Sequence, residues 1–323
     1  MNAPFPVSPF VVSQAPRLAP EKFRDPDVTA RGEARATVAL EGLETLWLNT
    51  GTLCNLACLN CYIESTPTND ALEWLTLDEA SVYLDEIAHL GLKTREIGVT
   101  GGEPFMNPDI LPILQTALER GFEALVLTNA MTPMTHKRAG LMVLKERFGA
   151  RLTLRVSLDH WTAAVHEAER GAGSWARAID GLCWLSQNGF SVAVAGRQLV
   201  GETMDEAREG YRRLFAELDV AIEAGDPARL VLFPEMDASV DVPEITTACW
   251  DILHKDPREV MCASSRMVVK HRGRAPSVIA CTLLPYDPQF DLGESLAGAL
   301  GAVKLNHPHC AKFCVLGGAS CSG

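Results

Sequence analysis

No stretch of this 323-residue chain approaches the roughly 18 to 20 uninterrupted apolar residues that carry a helix across a bilayer. Met1 to Pro20 holds no basic segment followed by an apolar one, so no secretion signal is read there. Positive charge is also scarce: 29 Lys and Arg stand against 41 Asp and Glu, a formal net charge of −12. That balance argues against a surface that tracks phosphates along a nucleic acid, although local basic pockets remain open to the chain. The expectation is a cytoplasmic protein without membrane or polynucleotide partners, acting on a small molecule or a peptide. Cysteine is not lacking. Ten thiols without an export signal favour metal ligation over disulfide pairing.

With 47% hydrophobic residues the chain has enough apolar surface for a substantial core. Its length suits one large α/β domain with an appendage, or two modest domains. Residues 1–42 are rich in Pro and Ala, lack periodicity, and read as an irregular lead. Residues 43–242 alternate strands and helices. The strands are Leu46-Trp47-Leu48, Glu96 to Thr100, Ala124 to Thr128, Leu152 to Ser157, Phe190 to Val194 and Leu230 to Phe233. Thr76 to Glu79 is a capping box for a helix with Leu77, Ala80, Leu84 and Ile87 on one face. Asn107-Pro108 opens the next helix, and others run from about His136 to Phe148, from a Ser174 cap to Asn188-Gly189, and from Glu202 to Leu218. This rhythm implies a parallel sheet with right-handed crossovers. Six units are too few for a closed eight-fold barrel, so the fold class is α/β, a partial (β/α)6 TIM-like barrel with ligands at the C-terminal strand ends.

After the first strand comes Cys54-Asn55-Leu56-Ala57-Cys58-Leu59-Asn60-Cys61-Tyr62. Iron–sulfur cubes usually take four cysteines, so three at this spacing imply one iron left open for another ligand. The competing readings are three ligands of a zinc site or buried apolar thiols. With its aromatic residue directly after the third cysteine, the loop resembles the cluster loop of the radical SAM superfamily. The resemblance implies a [4Fe–4S] cluster on Cys54, Cys58 and Cys61 whose open iron chelates S-adenosylmethionine. It also implies an external one-electron reductant of the flavodoxin or ferredoxin type, and cleavage of the sulfonium to a 5′-deoxyadenosyl radical that abstracts hydrogen from substrate. The partial barrel is that superfamily's core architecture.

Other segments extend the resemblance. Gly101-Gly102-Glu103-Pro104, after the second strand, matches the Gly-Gly-Glu-Pro motif that contacts the cofactor's amino group. Two glycines there let backbone approach a ligand closely. Ser157 and Asp159, at the end of the fourth strand, match residues that bond the cofactor's ribose or carboxylate. Arg170, in Arg170-Gly171-Ala172-Gly173-Ser174, is positioned to grip a carboxylate bidentately, the alternative being a surface salt bridge with Asp159. Thr128-Asn129-Ala130 matches Thr-Asn-Gly with Ala in place of Gly, which makes Asn129 a candidate contact. Gln198 and Glu235 are weaker candidates at the same mouth.

Residues 243–323 carry six further cysteines. Cys262 and Cys281 flank an extended Met267 to Lys270 and a turn at Arg272-Gly273-Arg274, which resembles the hairpin that opens SPASM and twitch extensions. The tail adds Cys310, Cys314 and Cys321 in a glycine-rich stretch too short to fold alone, where a metal would supply the stabilisation. The resemblance implies one auxiliary [4Fe–4S] cluster on four of Cys262, Cys281, Cys310, Cys314 and Cys321. A structural zinc site is the alternative there. A zinc-stabilised binding module and a plain electron-transfer protein are the readings from outside the class. Cys183 and Cys249 are read as packed thiols.

Overall fold

The computed structural model describes residues 7–12, 14–234 and 237–317. The chain runs β1 (Thr37–Val38), β2 (Thr45–Asn49), α1 (Leu77–His89), β3 (Glu96–Thr100), α2 (Ile110–Glu119), β4 (Glu123–Thr128), α3 (Thr132–His136), α4 (Arg138–Phe148) and β5 (Leu152–Ser157). It continues through α5 (Ala163–Arg170), α6 (Ser174–Gln187), β6 (Ser191–Arg197), α7 (Met204–Glu217) and β7 (Leu230–Phe233). The last part holds α8 (Cys249–Leu253), β8 (Ser265–Val269), β9 (Ser277–Ile279) and β10 (Val303–Lys304).

Eight strands form one sheet in the order β7-β6-β5-β4-β3-β2-β8-β9. Strands β2 to β7 are the six expected from the sequence, and neighbours among them pair in parallel. Strands covered on both faces read as continuous apolar runs, and all five residues of β2 are buried. One apolar cluster packs β3 to β7 against α2, α4, α6 and α7 through Val126, Leu154, Leu182 and Tyr211. Thr76 caps α1 with the expected reciprocal box to Glu79, and Thr203 with Glu206 does the same for α7.

Three local expectations are corrected. Asp109, not Asn107, stands at the N-cap of α2, because Asn107 closes a short 3₁₀ turn and bonds Leu75 O through its side chain. The helix expected from about His136 to Phe148 is two helices, α3 and α4, that meet at Lys137. Gly173 takes the N-cap of α6 and Ser174 is its first helical residue.

The segment after residue 243 does not stand apart. Strands β8 and β9 form the expected antiparallel hairpin, and β8 also pairs in parallel with β2. The irregular lead is tied along its length: β1 pairs with β10, Arg35 pairs with Glu244, and Phe10 is fully buried. Among the described residues no helix is long and apolar enough to cross a membrane.

Candidate active site

A cavity of about 120 Å³ opens at the C-terminal ends of β2 to β6. Cys54, Cys58 and Cys61 line it from the loop after β2, and none is in a disulfide. Gly101 and Gly102 face them from the end of β3, Asn129 from β4, Ser157 from β5, and Arg170 and Arg197 from α5 and β6. The structure therefore gathers Cys54, Cys58, Cys61, Gly101, Gly102, Asn129, Ser157 and Arg170 around one cavity. Burial pushes the Cys54 and Cys58 thiols up to about 12 and about 11, so an uncompensated thiolate is disfavoured there. Three unbridged thiols lining one cavity are a donor set suited to a cationic iron–sulfur core.

The glycine pair fits this cradle for a steric reason. Gly102 N–H donates to Gly51 O at 2.7 Å and Glu103 N–H donates to Leu53 O at 3.1 Å, which ties the motif to the start of the cysteine loop. A Cβ on Gly102 would lie 2.2 Å from Leu53 O. A second close approach fixes the backbone beside Asn129. Ala130 adopts φ +58°, where the related motif has Gly, and a Cβ on Gly181 of α6 would lie 1.9 Å from Ala130 O. Asn129 then donates from Nδ2 to Asn55 Oδ1 at 2.9 Å, beside Cys54.

Glu103 and Pro104 lie behind the cavity wall. Glu103 is 2% exposed and accepts from Phe105 N, Thr128 Oγ1 and Asn129 N. Burial pushes its carboxyl up to about 7, with those three donors pulling the other way. Its oxygens thus knit β3 to β4 instead of presenting a free carboxylate to the cavity.

Asp159 and Arg170 form the pair weighed from the sequence, but in the interior and not at the surface. Arg170 Nε and Nη2 donate to the two Asp159 oxygens at 2.6 and 3.0 Å. Burial favours the neutral acid, yet Arg170 and Arg197 outweigh it and hold the Asp159 carboxyl well below the usual carboxylate range. Gln198 bonds Glu202 O and does not line the cavity, and Glu235 lies outside the described residues.

Three participants escaped the sequence reading. Arg197 ends β6, spans Asp159 and Glu169, and donates to Asn60 O at 3.1 Å. Glu169 is 1% exposed and accepts from Asn60 N at 2.8 Å and Ser8 Oγ at 2.5 Å. Ser65 lines the cavity just past the third cysteine. A charged residue at the last position of a strand was a usable signal for Arg197. Nothing local marks Glu169, whose partners Arg197, Asn60 and Ser8 lie 28, 109 and 161 residues away.

A second, small apolar cavity is lined by Cys262, Cys281, Cys310 and Cys314, with His309 at its side. Cys310, Cys314 and His309 come from the last helical turn, Cys262 precedes β8 and Cys281 follows β9. Burial pushes the Cys262 thiol up to about 11 and Cys310 well above its ordinary value. The fifth candidate, Cys321, lies outside the described residues. His309 N–H bonds His307 Nδ1 at 3.0 Å, which shapes the turn around Pro308. Cys183 packs against the main core, and Cys249 sits beside Thr246 at the start of α8.

The chain is similar over part of its length to several characterised proteins. It is 33% identical over 143 residues to the antilisterial bacteriocin subtilosin biosynthesis protein AlbA of Bacillus subtilis, covering 44% of this chain and 30% of that one. It is 32% identical over 163 residues to the AdoMet-dependent heme synthase of Methanosarcina barkeri, covering 48% and 44% respectively. The matches thus span less than half the length of these relatives. In fold it superposes on SuiB of Streptococcus suis bound to S-adenosylmethionine with a TM-score of 0.57 at 12% identity, covering 79% of this chain and 64% of that one. Residues 48–214, from the middle of β2 into α7, match the model of the radical SAM superfamily, and with its cavity at the strand ends the chain belongs to that superfamily.

Proposed function

We propose that this enzyme binds a [4Fe–4S] cluster through Cys54, Cys58 and Cys61 and S-adenosylmethionine beside it, and modifies a peptide substrate. The single observation that carries the reading is the convergence of those three thiols with the Gly101-Gly102 backbone on one cavity at the strand ends. When bound, this cofactor pair supplies reductive cleavage of the sulfonium and hydrogen abstraction from substrate. The protein's own groups do the positioning. Gly101 and Gly102 shape the wall that meets the methionine moiety, Pro104 backs it, and Glu103 fixes that wall to Asn129. Asn129 and Ser157 offer side-chain contacts from the cavity surface. Asp159 orients Arg170, whose guanidinium gives the cavity a positive edge for the cofactor's carboxylate.

The peptide as substrate class is supported by the relatives: AlbA is named for biosynthesis of a bacteriocin, and SuiB has been solved bound to its precursor peptide SuiA. Residues 243–323 would hold an auxiliary [4Fe–4S] cluster on Cys262, Cys281, Cys310 and Cys314, with Cys321 the spare thiol. Four thiols around one apolar cavity support this. A structural zinc ion on the same thiols is the alternative at this site. Electrons would come from an external flavodoxin- or ferredoxin-type reductant.

The test is iron and sulfide per chain after anaerobic reconstitution, for the native protein and a Cys54→Ala/Cys58→Ala/Cys61→Ala variant, with EPR of the reduced forms. About eight irons falling to about four, with an S-adenosylmethionine-sensitive signal lost in the variant, is the expected result. About four falling to none, with zinc retained, leaves the first cluster and makes the second site structural. No iron in either protein overturns the reading.

A further inference from the structure

The chain turns sharply after Cys61 and places one hydroxyl at the cavity wall. Glu64 adopts φ +53° and its N–H donates to Cys61 O at 3.0 Å. Ile63 O accepts from Tyr286 Oη at 3.0 Å, and Glu64 O accepts from Asn69 Nδ2 at 2.8 Å. One residue beyond Ser65, Thr66 O accepts from Cys54 N. The backbone on both sides of Ser65 is thus held to the loop that carries the thiols. Ser65 is 4% exposed and lines the same cavity as the three cysteines. Its N–H already donates to Cys61 Sγ at 3.4 Å. Its Oγ is buried without a hydrogen-bond partner among the described residues.

A buried hydroxyl left unpaired costs free energy, so a hydroxyl in this position is retained where something in the cavity accepts from it. The thiols and whatever they hold are the acceptors at hand. Hydrogen bonds to cluster sulfurs are among the levers that set a cluster's reduction potential, because the donor dipole favours the form carrying the extra electron. Resting on the cluster reading above, we propose that Ser65 donates its hydroxyl hydrogen bond to a sulfur of the cluster held by Cys54, Cys58 and Cys61, and so makes that cluster easier to reduce. Ser65 is then a positioning and tuning residue and forms no bond with substrate.

The experiment compares the native enzyme with Ser65→Ala, Ser65→Thr and Ser65→Val after anaerobic reconstitution. Iron per chain is measured first. A redox titration without S-adenosylmethionine then follows the EPR signal that the triple-cysteine variant lacks, and the affinity for S-adenosylmethionine is measured separately. Ala and Val should shift the reduction equilibrium about tenfold toward the oxidised form, roughly 59 mV more negative for one electron, while Thr keeps the native value. The Thr and Val variants have nearly equal volume, so they decide the matter if Ala loads poorly. Equal potentials at equal iron overturn the proposal. So does an unchanged potential with weakened S-adenosylmethionine binding, which would assign the hydroxyl to that molecule. If the native three-thiol site takes up no iron, the cluster reading itself fails, and the iron assay shows this before any potential is read.

Discussion

Position 102 admits no side chain. A methyl group there would push into Leu53 O, one residue before Cys54, so Gly102→Ala should displace the cysteine loop. The expected outcome is a folded protein by far-UV circular dichroism that retains little iron after reconstitution. At Arg170, a change to Met would leave Asp159 buried with Arg197 3.5 Å away as its remaining cation. Breaking a buried pair by removing one partner costs about 3 to 5 kcal/mol, which urea denaturation would read as a lowered midpoint. His166 gives a prediction in pH. It is fully buried, both ring nitrogens lack partners among the described residues, and burial, with Arg170 nearby, lowers its pKa to about 4. The unfolded chain, near 6.5, therefore takes the proton first as pH falls. Stability from this residue is present above about pH 6.5 and lost as pH drops toward 4, by about 2 kcal/mol at pH 5. His166→Gln should flatten that slope in denaturation curves measured at pH 7 and pH 5.

At the scale of the element, the lead before β1 behaves as a strap. Phe10 is buried under the Arg197 guanidinium, 5.2 Å from ring to cation, and Ser8 bonds the same Glu169 that holds Asn60. Phe10→Ala should cost about 3 kcal/mol, as truncation of a buried aromatic does, and should quicken loss of iron in air by loosening Arg197 from the cysteine loop. Urea denaturation and timed iron assays check the two effects. This strap marks the limit of what the sequence disclosed. Strands β2 to β7 were legible because each is a local apolar run between turn signals, and the cysteine and Gly-Gly motifs were legible because their spacing is local too. The lead was not, since Pro-rich sequence without period hides pairings made far along the chain, such as Ser8 with Glu169, 161 residues on. The shift of the α2 cap from Asn107 to Asp109 has a tertiary cause, the bond from Asn107 to Leu75 O. Glu103 was legible as a motif member but its inward direction was not, because the three donors that claim it come from two different strand ends.

Over the whole molecule, the cysteine-rich region and the barrel share one sheet through β8 and β2. Trp47 of β2 packs in the same apolar cluster as Cys262, Cys310 and Cys314. The two parts should therefore unfold together, with circular dichroism and tryptophan fluorescence tracing one coincident transition. Function should nonetheless separate them. Cys58→Ala should abolish 5′-deoxyadenosine formation, whereas Cys314→Ala should spare it and lose modified product, both read by chromatography of the reaction mixture. The antiparallel pairing of β1 with β10 joins Val38 to Val303. During synthesis Val38 leaves the ribosome long before Val303 exists, so the two-stranded clasp closes only after the barrel's six strands have emerged. Until then the lead has only its earlier-made ties, Ser8 to Glu169 and Arg35 to Glu244, and β1 waits without a strand partner for the last part of the chain.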